Sequence, residues 1–139
     1  MADKMAIQVK NLFEEIPAAN DAASNWLAVR AAPPAIDYLA NLAIEELLTN
    51  CIKYGYDDTD EHTISIELEL VEKELKLTVI DDGHPFNPLE CAPPDTSLAL
   101  EERPIGGMGL HLLRKMSDRM EYDRVQDKNH VTIWKLFPR

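Results

Sequence analysis

Two cysteines in 139 residues, Cys51 and Cys91, are too few for a disulfide scaffold. No Cys-x-x-Cys spacing marks them as a metal pair, so both read as free thiols. Basic residues are scarce as well: 14 Lys and Arg stand against 25 Asp and Glu, giving a net charge of −11 and a pI of about 4.7. A nucleic-acid binder needs a basic surface to meet phosphates, and that class is excluded. A single nucleotide ligand is not, because a local cluster of donors can hold one phosphate chain. No apolar run approaches the ~20 residues of a membrane span. The start, Met1-Ala2-Asp3-Lys4, lacks the basic-then-apolar pattern of a secretory signal. What is present is an apolar fraction of 45%, too high for a disordered chain. The length suits one domain with its own core. The expectation is a single cytoplasmic domain over residues 1–139, with an acidic surface that serves solubility and suits a basic protein partner.

Glycine is equally sparse, and its placement is informative. The five glycines occupy three places: Gly55, Gly83, and the run Gly106-Gly107-Met108-Gly109. Glycine is costly inside regular elements, so these are positions of special backbone geometry. Between them the periodicities change. Met5, Ile7 and Val9 alternate with polar neighbours as a first strand. Pro17 opens a helix that Pro33-Pro34 ends. A second helix is predicted from Ala35 to Tyr54, with Gly55 as a left-handed stop. Ile64 to Leu70 and Leu75 to Val79 alternate as a hairpin closed by Val71-Glu72-Lys73-Glu74. Residues 81–107 hold five of the nine prolines and read as irregular, and a loop this long is usually either functional or disordered. A third helix is predicted over Gly109–Met120, then strands over 121–126 and 130–137. The order β-α-α-β-β-loop-α-β-β is α+β: a two-layer sandwich with helices on one face of a mixed, mainly antiparallel sheet.

Three clusters carry chemistry. Gly-Gly-x-Gly running into a helix lets backbone N–H groups approach an anion that the helix dipole favours. It is neither a Walker A loop nor a dinucleotide fingerprint, because no Gly-Lys-Ser/Thr and no βαβ unit accompany it. On the second helix, stepping 100 degrees per residue from Glu46 puts Asn50 at about 40 degrees and Lys53 at about 340. A carboxylate, a carboxamide and an ammonium therefore share a face opposite Ile44, Leu47, Leu48 and Cys51. Leu39, Leu42 and Ala43 lie on the same arc earlier in the helix, which makes that face a partly covered cleft rather than a solvated one. The third cluster ends an apolar strand, Val79-Ile80-Asp81-Asp82-Gly83. Either the acidic pair caps a turn, or Asp81 accepts a hydrogen bond from an exocyclic amine while Gly83 admits a planar ring. The histidines His62, His84, His111 and His130 are not spaced as a metal site.

Taken together, these clusters resemble the GHKL, or Bergerat-fold, ATPase superfamily. The N box is Glu46-Leu-Leu-Thr-Asn50-Cys-Ile-Lys53-Tyr54-Gly55-Tyr56, the D-x-G box begins at Asp81-Asp82-Gly83, and Gly107-Met108-Gly109-Leu110 is the last box. The match covers roughly residues 35–137 in the right order. Within the superfamily the chain is most similar to the stand-alone serine-protein kinases and anti-sigma factors of bacterial partner-switching systems. Asp-Gly-x-Pro-Phe-Asn-Pro over 82–88 and Thr-Asn-x-x-x-Tyr-Gly-Tyr over 49–56 select them. Residues 1–34 contain no histidine and are too short for a histidine-kinase dimerisation segment.

The resemblance implies roles. Asn50 holds Mg²⁺ on the phosphates of ATP, and Glu46 is the general base. Lys53 contacts phosphate, and Tyr54 packs near the nucleotide. Asp81 binds the adenine amine and Gly83 gives the ring room. Gly107, Met108, Gly109 and the Leu110 amide meet the phosphates. Thr132 approaches the adenine through water. Residues 84–106 form an ATP lid, with Arg103 as a phosphate contact, although this proline-rich, acidic stretch does not align residue by residue. The implied partners are ATP or ADP, an anti-sigma-factor antagonist as phosphoryl acceptor, a sigma factor or other regulator, and a second copy of the chain. The alternative is a nucleotide-binding sequestering module or pseudokinase that acts by protein contact without phosphotransfer.

Overall fold

The computed structural model describes residues 2–90 and 108–139. Strand β1 (Ala2–Lys10) leads through a 3-10 turn to helices α1 (Ile16–Val29) and α2 (Pro34–Tyr54). The hairpin β2 (Thr63–Val71) and β3 (Glu74–Asp81) follows, then a 3-10 turn over Pro88–Glu90. Helix α3 (Met108–Met116) and the hairpin β4 (Arg119–Val125) and β5 (Lys128–Leu136) complete the described elements. The sheet order is β1-β2-β3-β5-β4. All four pairings are antiparallel, so the expected mixed character is absent among the described residues.

Side chains alternate across a strand, so register decides what reaches the core. One row across the sheet reads Met5, Leu68, Leu77, Ile133 and Met120, and the next reads Ile7, Ile66, Val79, Val131 and Tyr122. These rows face the helices, which bury Ala23, Leu27, Ile36, Leu39, Ile44, Leu48, Leu110 and Leu113 in the same core cluster. The opposite face carries polar rows such as Glu67, Thr78, Thr132 and Glu121. One face is packed and the other is wet, as the alternation predicts.

Several details differ from the sequence reading. Helix α3 stops at Met116, because Asp118 turns its amide to the Trp134 carbonyl (2.9 Å) and takes the Leu136 amide on its carboxylate (2.7 Å). Met120 therefore lies in β4 opposite Ile133. The β4–β5 turn is the two residues Gln126 and Asp127, both at positive φ (51° and 62°). This is the twist a tight hairpin needs, made without glycine or asparagine, and it starts β5 at Lys128. Gly55 is right-handed (φ −80°, ψ −19°), not left-handed.

Leu77 is fully buried on the central strand β3. Leu77→Ala is expected to cost about 2–5 kcal/mol in urea unfolding, while Glu67→Ala on the wet face stays within about 0.5 kcal/mol.

Candidate nucleotide site

Beyond the two apolar rows, the inward face ends in a polar one: Asp81 of β3, Asn129 of β5 and Arg124 of β4. Next to this row, α2 leaves a cavity of about 180 Å³. Its walls are apolar, from Leu47, Val79, Phe86, Pro88 and Val131. Asn50, Cys51, Tyr54, Asp81 and Asn129 add the polar groups. The helix residues follow the spacing i, i+3, i+4, i+7 from Leu47 to Tyr54, so one stripe of α2 faces the cavity. That stripe lies on the border between the polar arc and the apolar one. It includes Cys51, which the helical spacing places on the apolar side of α2.

Asp81 is buried, at 5% exposure. A buried carboxylate must be satisfied by donors, and this one has three. Its Oδ1 accepts from the Gly83 amide (2.9 Å) and from the Asn129 carboxamide (3.0 Å), and its Oδ2 accepts from the Cys51 thiol (3.1 Å). Burial, and then the Asp81 charge, push the Cys51 thiol well above its ordinary pKa, so it stays a proton donor. Gly83 is required by packing. A Cβ there would stand 2.6 Å from the Gly55 carbonyl oxygen, which also accepts the His84 amide at 2.8 Å. The end of α2 and the Asp81-Asp82-Gly83 turn are thus locked together.

One turn before Asn50, Glu46 reaches the start of α3. Its carboxylate fills the space that a Cβ on Gly109 would take. The first N–H groups of a helix lack intrahelical partners and favour an anion, and the Glu46 carboxylate packs beside them. Burial raises the Glu46 pKa above 4.5, Glu45 adds to the rise, and Lys53 opposes it. Asn50 donates from its carboxamide nitrogen to the Glu46 carbonyl at 2.7 Å, which leaves its amide oxygen as the atom able to ligate a hard cation. Among the described residues, no group of three or more His, Cys, Asp or Glu could hold a metal ion unaided.

The sequence-predicted residues therefore divide. Asn50, Tyr54 and Asp81 share the cavity, Gly83 packs against Gly55 and Asp81 of its lining, and Glu46 meets Gly109. Lys53 does not line the cavity but is close enough to act on the Glu46 charge. Met108 is 60% exposed, and the Leu110 side chain is in the core, with only its amide at the helix start. Thr132 is a correction. It points to the wet face and hydrogen-bonds Thr78 there (3.1 Å), so Val131 and Asn129 take the inward places. Arg103, Gly107 and residues 91–106 of the expected lid lie outside the described residues. Sequence reading missed Asn129, Cys51, Phe86 and Val131. For Asn129 a clue existed, because it continues the inward period of Val131 and Ile133.

The sequence matches the family described as the histidine kinase-like ATPase domain over residues 9–135. The chain belongs to that family. Relatives of this ATPase domain include the serine/threonine-protein kinase BtrW of Bordetella bronchiseptica, 25% identical over 96 residues (69% of this chain, 68% of that protein). An anti-sigma F factor of Clostridium perfringens is 30% identical over 104 residues, covering 73% of this chain and 74% of that one. The serine-protein kinase RsbW of Bacillus subtilis is 27% identical over 96 residues, 66% of this chain and 58% of that one. In fold, the domain is similar to a crystal structure of the RsbU and RsbW domains of a Mycobacterium tuberculosis protein. The TM-score is 0.66 at 14% identity, over 99% of this chain and 33% of that one.

Beside the cavity, His62 links the α2–β2 loop to the same turn. Its Nε2 lies 2.7 Å from Asp58 and its Nδ1 3.2 Å from Asp82, with Tyr56 stacked on the ring at 4.1 Å. The Asp58 hydrogen bond, helped by Asp82, raises the His62 pKa above 6.5 against some desolvation. A raised folded pKa stabilises below the unfolded value, and that contribution is lost as pH rises through the folded one. The melting-temperature gap between wild type and His62→Gln is therefore expected to be larger near about pH 6 than near about pH 8.5.

Proposed function

We propose that this domain is an ATP-binding anti-sigma regulatory factor with serine/threonine protein kinase activity, which phosphorylates a small anti-sigma-factor antagonist. The observation that carries the reading is the buried Asp81 carboxylate at the end of an apolar cavity that Asn50 also lines, with Glu46 one helical turn before Asn50 on α2. An apolar slot with one fixed acceptor suits a purine bearing an exocyclic amine. The names of the relatives support the kinase and anti-sigma assignments.

The assigned roles follow from position. Asp81 accepts the amine, and Leu47, Val79 and Val131 flank the ring. The start of α3, with Gly109 and the Leu110 amide, offers N–H groups to phosphate once the Glu46 carboxylate turns away. Lys53 adds a positive charge near that end. Asn50 holds Mg²⁺ through its amide oxygen. One protein ligand suits an ion that takes its other places from phosphates and water. When bound, Mg²⁺ neutralises charge on the transferring phosphoryl group. Glu46, with its pKa raised by burial, takes the proton of the acceptor hydroxyl as general base. Gly107 and Arg103 are assigned to the phosphates by motif alone. A cytoplasmic location, a sigma factor as second partner and a homodimer complete the proposal. No described helix is long and apolar enough to cross a membrane. Sequestration without transfer shares the cavity but makes no use of Glu46.

Calorimetry with ATP, with and without Mg²⁺, tests the site. Asp81→Asn is expected to weaken binding by roughly ten- to a hundredfold, the loss of a charge-assisted hydrogen bond, with a smaller effect on folding. Equal affinity in the variant would remove the adenine assignment.

Glu46→Gln separates the two activities. Nucleotide binding is retained, and phosphotransfer to the cognate antagonist falls by about 10²–10⁴. Folding raises the Glu46 pKa above 4.5, so its ionisation costs stability as pH rises past that value. Glu46→Gln is therefore at least as stable as wild type at neutral pH, and the two converge below about pH 4. Unchanged transfer would remove the general-base role of Glu46, and no transfer by wild type would leave sequestration as the function.

A further inference from the structure

We propose that Asn129 is a positioning residue for base recognition: it fixes the Asp81 carboxylate so that Oδ2 is the oxygen offered to a 6-amino purine. The inference rests on the nucleotide reading of the cavity and deepens it by assigning base specificity to a residue that does not itself need to touch the base.

Asn129 is 3% exposed and stands directly opposite Asp81 across β3 and β5. A carboxamide has two N–H donors and two acceptor lone pairs, and here all four are used. The nitrogen donates to Asp81 Oδ1 (3.0 Å) and to the His84 carbonyl (2.7 Å). The oxygen accepts from the Tyr122 hydroxyl (2.6 Å) and the Phe86 amide (3.3 Å). Turning the amide over would set its oxygen against a carboxylate and a carbonyl, and its NH₂ against the Phe86 N–H. One orientation is therefore imposed from β4, β3 and the 84–86 segment together. Asp81 Oδ1 already holds two N–H donors, from Asn129 and Gly83. Among the described residues Oδ2 has only a thiol, a weak donor that a ligand N–H can displace or share. Asn129 therefore sets which oxygen is open. A site built around an oriented acceptor discriminates strongly against an analogue that lacks the donor.

The test titrates the full chain with ATP and with inosine triphosphate, which carries a carbonyl where ATP carries the 6-amino group. Wild type is expected to prefer ATP. Asn129→Asp keeps the size but turns an oxygen towards Asp81 and the His84 carbonyl, and the preference is expected to fall by roughly tenfold or more. Tyr122→Phe removes one hydroxyl from a half-buried ring. It secures the test should Asn129→Asp fail to fold, and it is expected to lower the preference in the same direction by a smaller factor. Parallel losses for both nucleotides, an unchanged preference in Tyr122→Phe, or no preference in a wild type that binds both would overturn the positioning role. A wild type that binds neither nucleotide, or that binds ATP equally well as Asp81→Asn, would instead overturn the nucleotide reading, and the inference with it.

Discussion

A carboxylate in an apolar interior is the constraint around which this fold is arranged. An unpaired ion at Asp81 would cost several kcal/mol or shed its charge. Its three donors come from different parts of the chain: Gly83 just beyond β3, Asn129 on β5 and Cys51 on α2. Meeting them fixes the register of β3 against β5, the rotation of α2 about its axis and the approach of α2 to the turn after β3. Gly83 is the condition for that approach, because any side chain there meets the Gly55 carbonyl. The same convergence that satisfies the ion opens the cavity beside it.

The sheet supports this end by being one-sided. Two apolar rows span all five strands and press on three helices, and only the third row changes to Asp81, Asn129 and Arg124. Arg124 donates to the Gly83 carbonyl at 2.8 Å, so even the edge strand β4 braces the turn. Arg114 of α3 donates to the Leu89 carbonyl (3.0 Å), and Asn129 binds the His84 carbonyl. The segment leaving the cavity is therefore tied at both ends of its described length. Recognition at Asp81 and the path of residues 84–90 share partners, which is the physical basis for coupling one to the other.

Much of this was legible in the sequence because long periodic elements announce themselves. Strands β2 and β3 alternate cleanly, and α2 carries its stripe over five turns. The errors concentrate where one residue changes the answer. A two-residue turn at Gln126-Asp127 has no glycine or asparagine to mark it, so the sequence reading starts β5 two residues late and leaves Asn129 outside it. Thr132 was placed at the site although its neighbours Val131 and Ile133 claim the inward face, and a strand cannot turn adjacent side chains the same way. The strand order β1-β2-β3-β5-β4 was not legible, because pairing partners are set by long-range packing that no local period records.

Glu46 shows the opposite balance from Asp81. Asp81 is buried and fully partnered, whereas Glu46 is partly buried, flanked by Glu45, and has no side-chain hydrogen bond among the described contacts beyond its packing on Gly109. Desolvation raises its pKa, so its ionised form works against the fold. Glutamine would fit the same space without that cost. A group that is poorly solvated, near a helix start and opposed only by Lys53 is poised to take a proton, and it gains little by staying where it is. The kinase reading explains why such a residue sits there, since proton transfer needs a base whose proton affinity burial has lifted.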